Sequence, residues 1–109
     1  MACQLAAVFP AATFAKQVVG RYRLFTTNFA SKERTRRGLV TLEANHEVKI
    51  DTENGVNAHW RQNGQQLRFD FTADGRGYVD LTPLRNRQWA GHHHRPSDKT
   101  VWGWELIPE

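Results

Sequence analysis

The sequence predicts a mainly β domain: an antiparallel meander of about eight short strands closed as a small barrel, with one short N-terminal helix. Three observations carry this. From residue 21 almost to the C-terminus, apolar and polar residues alternate with period two, as half-buried strands require. Asn54-Gly55, Asn63-Gly64 and Asp74-Gly75, strong turn dipeptides, fall between the alternating stretches. The 109 residues suffice for one domain with its own core, without disulfides or metal. Closing the meander removes exposed edges, although a two-sheet sandwich or a strongly curved open sheet carries the same pattern.

Within a single domain spanning 1–109, residues 1–9 are expected to be flexible, 10–19 helical, and 20–109 the barrel. Pro10 suits a first helical turn, Ala11 and Ala12 favour helix, and Gly20 is placed to end it. Phe14 and Val18 then form one apolar face that has to dock, either on the barrel mouth or on a second chain as a homodimer. The apolar stretch 1–19 lacks a basic leading region and is interrupted by Pro10, which argues against a secretory signal. The lone Cys3 offers no internal disulfide, so a reduced, cytoplasmic protein is expected. No apolar run of about 18 residues exists to span a membrane as a helix.

The strands follow in order. Tyr22 and Leu24 oppose Arg21 and Arg23, and Val40 and Leu42 oppose Thr41 and Glu43. Val48 and Ile50 alternate with Glu47, Lys49 and Asp51, while Val56, Ala58 and Trp60 alternate with Asn57, His59 and Arg61. Leu67, Phe69 and Phe71 share a face, as do Val79 and Leu81, and then Trp102, Trp104 and Leu106. In the stretch 86–91 either Trp89, or Gln88 with Ala90, faces inward. A two-residue turn at Asn63-Gly64 would set Trp60 opposite Leu67 and Ala58 opposite Phe69. Near Asn45-His46 only an odd-length loop or a bulge keeps Leu42 on the face of Val48 or Ile50. A three-residue loop around Gly75 would pair Phe71 with Val79 and Phe69 with Leu81. Two polar stretches, 28–37 and 92–99, are expected to be long connections.

Gly20-Arg21-Tyr22, at the exit of a short helix and the start of the first strand, resembles the glycine-x-tryptophan opening of lipocalin-like (calycin-type) barrels, with tyrosine in place of tryptophan. The resemblance implies that the helix covers one mouth and that the other binds a small, mainly apolar molecule.

The inward face collects Tyr22, Trp60, Phe69, Phe71, Trp102 and Trp104. Such aromatics either fill a small lumen or line a pocket in which indole N–H and phenol O–H groups orient a ligand. Tyr22, Trp60, Phe69, Trp89 and Trp104 are the candidate ligand-binding residues, for a small apolar or aromatic molecule. The alternative uses the outside. Fifteen Lys and Arg against eleven Asp and Glu leave a net charge of +4, and Arg21, Arg23, Arg61 and Arg68 on wet strand faces, with exposed Phe25, Tyr78 or Trp89, would suit single-stranded nucleic acid or a protein partner.

His92-His93-His94 is expected to be a solvated loop, with His92 and His94 sharing a face and no metal or other cofactor bound, because a zinc site needs three or four convergent ligands. No phosphate-binding glycine loop, nucleophile elbow or HExxH pattern is present. The expectation is a non-enzymatic protein.

Overall fold

The computed structural model describes residues 18–109, and they form a closed barrel of eight antiparallel strands in sequence order. The strands are β1 (Gly20–Asn28), β2 (Arg34–Leu42), β3 (Glu47–Ile50), β4 (Ala58–Asn63), β5 (Gln66–Phe71), β6 (Tyr78–Pro83), β7 (Trp89–Arg95) and β8 (Thr100–Pro108). A 3-10 turn at Arg85–Arg87 links β6 to β7. Closure comes from β1 pairing with β8 as well as with β2, with Leu24 opposite Leu106 and Thr26 opposite Trp104. The expected helix 10–19, apart from its last two residues, lies outside the described residues, as does Phe14 of its apolar face, whereas Val18, the other member of that face, is buried in the barrel core. Among the described residues, no helix is long and apolar enough to cross a membrane.

The predicted alternation becomes the inner wall. Tyr22, Leu24, Val40, Leu42, Val48, Ile50, Ala58, Trp60, Leu67, Phe69, Val79, Leu81, Trp104 and Leu106 are all buried and form one cluster. Trp89 joins them, which answers the ambiguity in 86–91. They hide their apolar surface while most of their sequence neighbours face outward, the arrangement a single-layered antiparallel sheet needs.

Two registers differ from expectation by two residues. Trp60 pairs with Phe69 and Ala58 with Phe71, so the turn is Gly64-Gln65, not Asn63-Gly64. Gly64 takes the first central position with φ 65°, the left-handed conformation a type II′ turn demands. Likewise Phe69 pairs with Val79 and Leu67 with Leu81, so the connection around Gly75 is longer than three residues. A slip of two preserves the inward face, so the hydrophobic pattern could not distinguish these registers. The odd-length loop after β2 is as expected: Leu42 pairs with Val48, and Ala44, Asn45 and His46 make the turn, with His46 at φ 74°.

The two stretches expected as long loops are half strand. Residues 34–37 belong to β2 and 92–95 to β7. Their polar sequences misled because one face of each strand looks into a polar mouth and the other into solvent.

Candidate functional site

The two ends of the barrel differ. At the end where β1 begins and β8 finishes, large side chains fill the lumen. The Tyr22 hydroxyl donates to the Val18 carbonyl at 2.7 Å, and the Trp60 indole N–H donates to the Glu43 carbonyl at 2.8 Å. The His46 ring stacks on Trp60 at 3.9 Å, and its Nδ1 donates to the Trp60 carbonyl at 2.9 Å. Burial pushes the Tyr22 phenol above its ordinary pKa, against the lowering influence of the Arg87 charge and of hydrogen bonds with Trp89 and Arg87. These aromatic residues find partners for their polar tips inside the end wall, and none of Tyr22, Trp60 and Trp89 lines the cavity at the opposite end.

The opposite end holds a cavity of about 730 Å³, within the range of small-molecule sites. Trp104 borders it, alongside Trp102, Leu24 and Ile50. Phe69 lies behind Trp104 with its ring edge-on at 6.1 Å. Of the five aromatic residues expected to bind a ligand, Trp104 therefore lines the cavity, Phe69 backs it, and Tyr22, Trp60 and Trp89 close the far end.

His93 also borders the cavity and is buried, while His92 is exposed, so the expected solvated loop is corrected: these histidines lie on a strand with their faces alternating. His93 stacks on Phe71 at 4.7 Å, meets Trp104 edge-on at 5.4 Å, and donates from Nε2 to the Arg76 carbonyl at 2.7 Å. Burial holds its pKa below the usual imidazole range, outweighing the hydrogen bond to Arg76, and the charges of Arg95, Arg76 and His94 lower it further. A neutral ring therefore faces the cavity near neutral pH. Among the described residues, no three of His, Cys, Asp and Glu converge.

The cavity's polar residues escaped the sequence analysis. Four arginines line it, Arg36, Arg37, Arg76 and Arg95, against one carboxylate, Glu53. Arg76 is held by Glu53 in a bidentate pair at 2.6 and 3.3 Å and covers the Phe71 ring at 4.4 Å. Arg37 arrives by a bulge. Leu24 pairs with Gly38, yet Phe25 pairs with Arg36, so Arg37 is the extra residue of β2. Strict alternation would have set it opposite outward Phe25; instead its Nε donates to the hydroxyl of inward Thr26 at 2.9 Å. Gly38, at φ 108°, makes the bulge possible, since a Cβ there would strike the Asp51 carboxylate that accepts from the Leu39 amide at 2.9 Å. A glycine interrupting a strand pattern was the signal available in the sequence.

The outer face looks different. Arg61 pairs with Asp70 at 2.9 Å, Arg68 with Asp80 at 2.6 and 2.7 Å, and Arg21 with Glu109 at 3.2 Å, while Arg23 reaches the Pro108 carbonyl at 3.4 Å. The hydrogen bonds of Arg68 hold the Asp80 carboxyl below its ordinary pKa. Phe25 and Tyr78 are covered by the guanidinium groups of Arg34 and Arg68, at 3.9 and 4.1 Å. These arginines already have partners, and the two aromatic rings already have cations on them.

A closed eight-stranded antiparallel meander is compatible with a calycin-type fold. No family model, curated protein or solved structure matches the chain.

Proposed function

We propose that the protein is a non-enzymatic, cytoplasmic binding barrel that takes a small molecule with an apolar or aromatic body into the cavity at its open end. The observation that carries this is the contrast between the ends: aromatic residues fill one, while the other keeps about 730 Å³ of space bordered by Trp102, Trp104, Leu24 and Ile50. A lumen whose aromatics served only as filling would leave no such space. The lipocalin-like opening Gly20-Arg21-Tyr22 is consistent with this reading. We put forward no nucleic-acid function, since the outer arginines would have to give up carboxylate and carbonyl partners to meet phosphates.

The test is titration with N-phenyl-1-naphthylamine, a neutral aromatic dye whose emission rises in apolar surroundings. Saturable binding is expected, with quenching of Trp102 and Trp104 by energy transfer. Ile50→Phe, which adds volume at the cavity wall, should weaken binding at least about fivefold, the scale of one misfitting group in an apolar pocket. Absence of saturable binding, or binding indifferent to Ile50→Phe, would overturn the proposal.

A further inference from the structure

We infer that the ligand of this cavity is an amphipathic anion: an aromatic or apolar body seated on Trp102 and Trp104, carrying one oxyanion, carboxylate or phosphate, held by Arg37 and Arg95. The inference rests on the cavity being a binding site and adds the ligand's chemical class. Its first support is charge. Four arginines line the cavity and only Glu53 opposes them there, with that carboxylate already committed to Arg76. Among the described residues, Arg36 and Arg37 have no carboxylate partner, and Arg37 bonds only the neutral Thr26 hydroxyl. The neutral ring of His93 supplies no negative charge.

The second support is an unmet donor. The Arg95 Nε is buried, with no hydrogen-bond partner among the described residues, while its Nη2 reaches Asp98 at 3.2 Å. A buried N–H of a cation left unpaired is costly, and an oxyanion entering the cavity would satisfy it. The third support is the bulge, which moves the Arg37 side chain from the outer to the inner side of β2. An arginine needed only for solubility would have served equally well outside. Guanidinium groups match planar oxyanions by paired, charge-assisted hydrogen bonds, and the low-dielectric aromatic wall beside them strengthens the attraction. Arg37 also stands over Trp102 at 5.8 Å, so cation and ring present one continuous surface to a molecule with a charged end and a flat body.

The experiment compares two dyes sharing one ring system, neutral N-phenyl-1-naphthylamine and 1-anilinonaphthalene-8-sulfonate, on the full chain. The sulfonate should bind about 10-fold tighter or better, the scale of one charge-assisted hydrogen bond. Its advantage should shrink at high salt. Arg37→Gln and Arg95→Gln should each remove most of that advantage by weakening the sulfonate far more than the neutral dye, whereas Arg21→Gln, on the filled end, should change neither. Displacement by 1-naphthoate or by 1-naphthyl phosphate then tells which oxyanion is preferred, and failure of both to displace overturns the inference. Equal binding of the two dyes, or a sulfonate advantage surviving in both arginine variants, also overturns it while leaving the cavity reading intact. Failure of both dyes refutes the cavity reading itself. If one arginine variant fails to fold, the other and the salt dependence decide.

Discussion

Replacing Tyr22 by Phe deletes one oxygen from the filled end of the barrel and separates two roles for this residue, wall and ligand contact. The ring stays, so packing is nearly unchanged; what is lost is the 2.7 Å hydrogen bond to the buried Val18 carbonyl, together with the hydroxyl's interactions with Trp89 and Arg87. Leaving a buried acceptor unpaired costs about 1–3 kcal/mol. For a domain of this size that lowers Tm by roughly 5–15 °C. Thermal melts followed by circular dichroism read it directly. A second readout is alkaline stability. The Tyr22 pKa is raised in the folded state, so the folded chain holds the proton more tightly than the unfolded chain. The group's contribution is complete below the unfolded pKa of about 10 and is lost as pH rises from there through the higher folded value. The variant should therefore show a shallower decline above that pH. Dye affinity at the open end should stay within about twofold, because the altered atom does not border the cavity. A melt within about 2 °C of the parent, which is less than 1 kcal/mol, combined with abolished dye binding, would refute the assignment of Tyr22 to the end wall.

Two further outcomes follow from the same geometry. Gly91→Ala should cost about 3 kcal/mol or prevent folding, since a Cβ there would run into the Asp80 carbonyl of the neighbouring strand, and the expected sign is low soluble yield and a sharply lower Tm. His93 should make stability fall on mild acidification. Its folded pKa is depressed by burial, so its contribution is present above the unfolded value near 6.5 and lost as pH drops through and below it. Denaturant midpoints measured from pH 7.5 down to 5 should decline in the parent and stay nearly level in His93→Phe; equal slopes would show that the ring is not held neutral.

Much of the barrel was legible because its physics is local. Period-two alternation from Tyr22 to Leu106 marks which side chains meet across a sheet, and every apolar position singled out on the inner face of β1, β2, β5, β6 and β8 is buried or packed against the core. The odd-length turn at His46 was legible for the same reason, as only it keeps Leu42 beside Val48. The site was harder. Arg37 reads as an outward or loop residue until the bulge at Gly38 turns it inward, and His93 reads as one of three solvated histidines until β7 is seen to continue through Arg95.

By itself the sequence determined the strand succession, the aromatic inner face and the antiparallel meander, because burying one face of a strand forces a repeat of two upon its residues. Only the tertiary structure decided the exact register of β4 with β5 and of β5 with β6, since a slip of two residues leaves that repeat unchanged. It alone decided which mouth is filled and which is open. That depends on how far β8 and β1 overlap at closure and on where Tyr22, Trp60 and Trp89 converge, relations between strands far apart in the chain. The same closure gathers Arg36, Arg37, Arg76 and Arg95 from three distant stretches around one cavity, where no short-range pattern in the sequence could announce them.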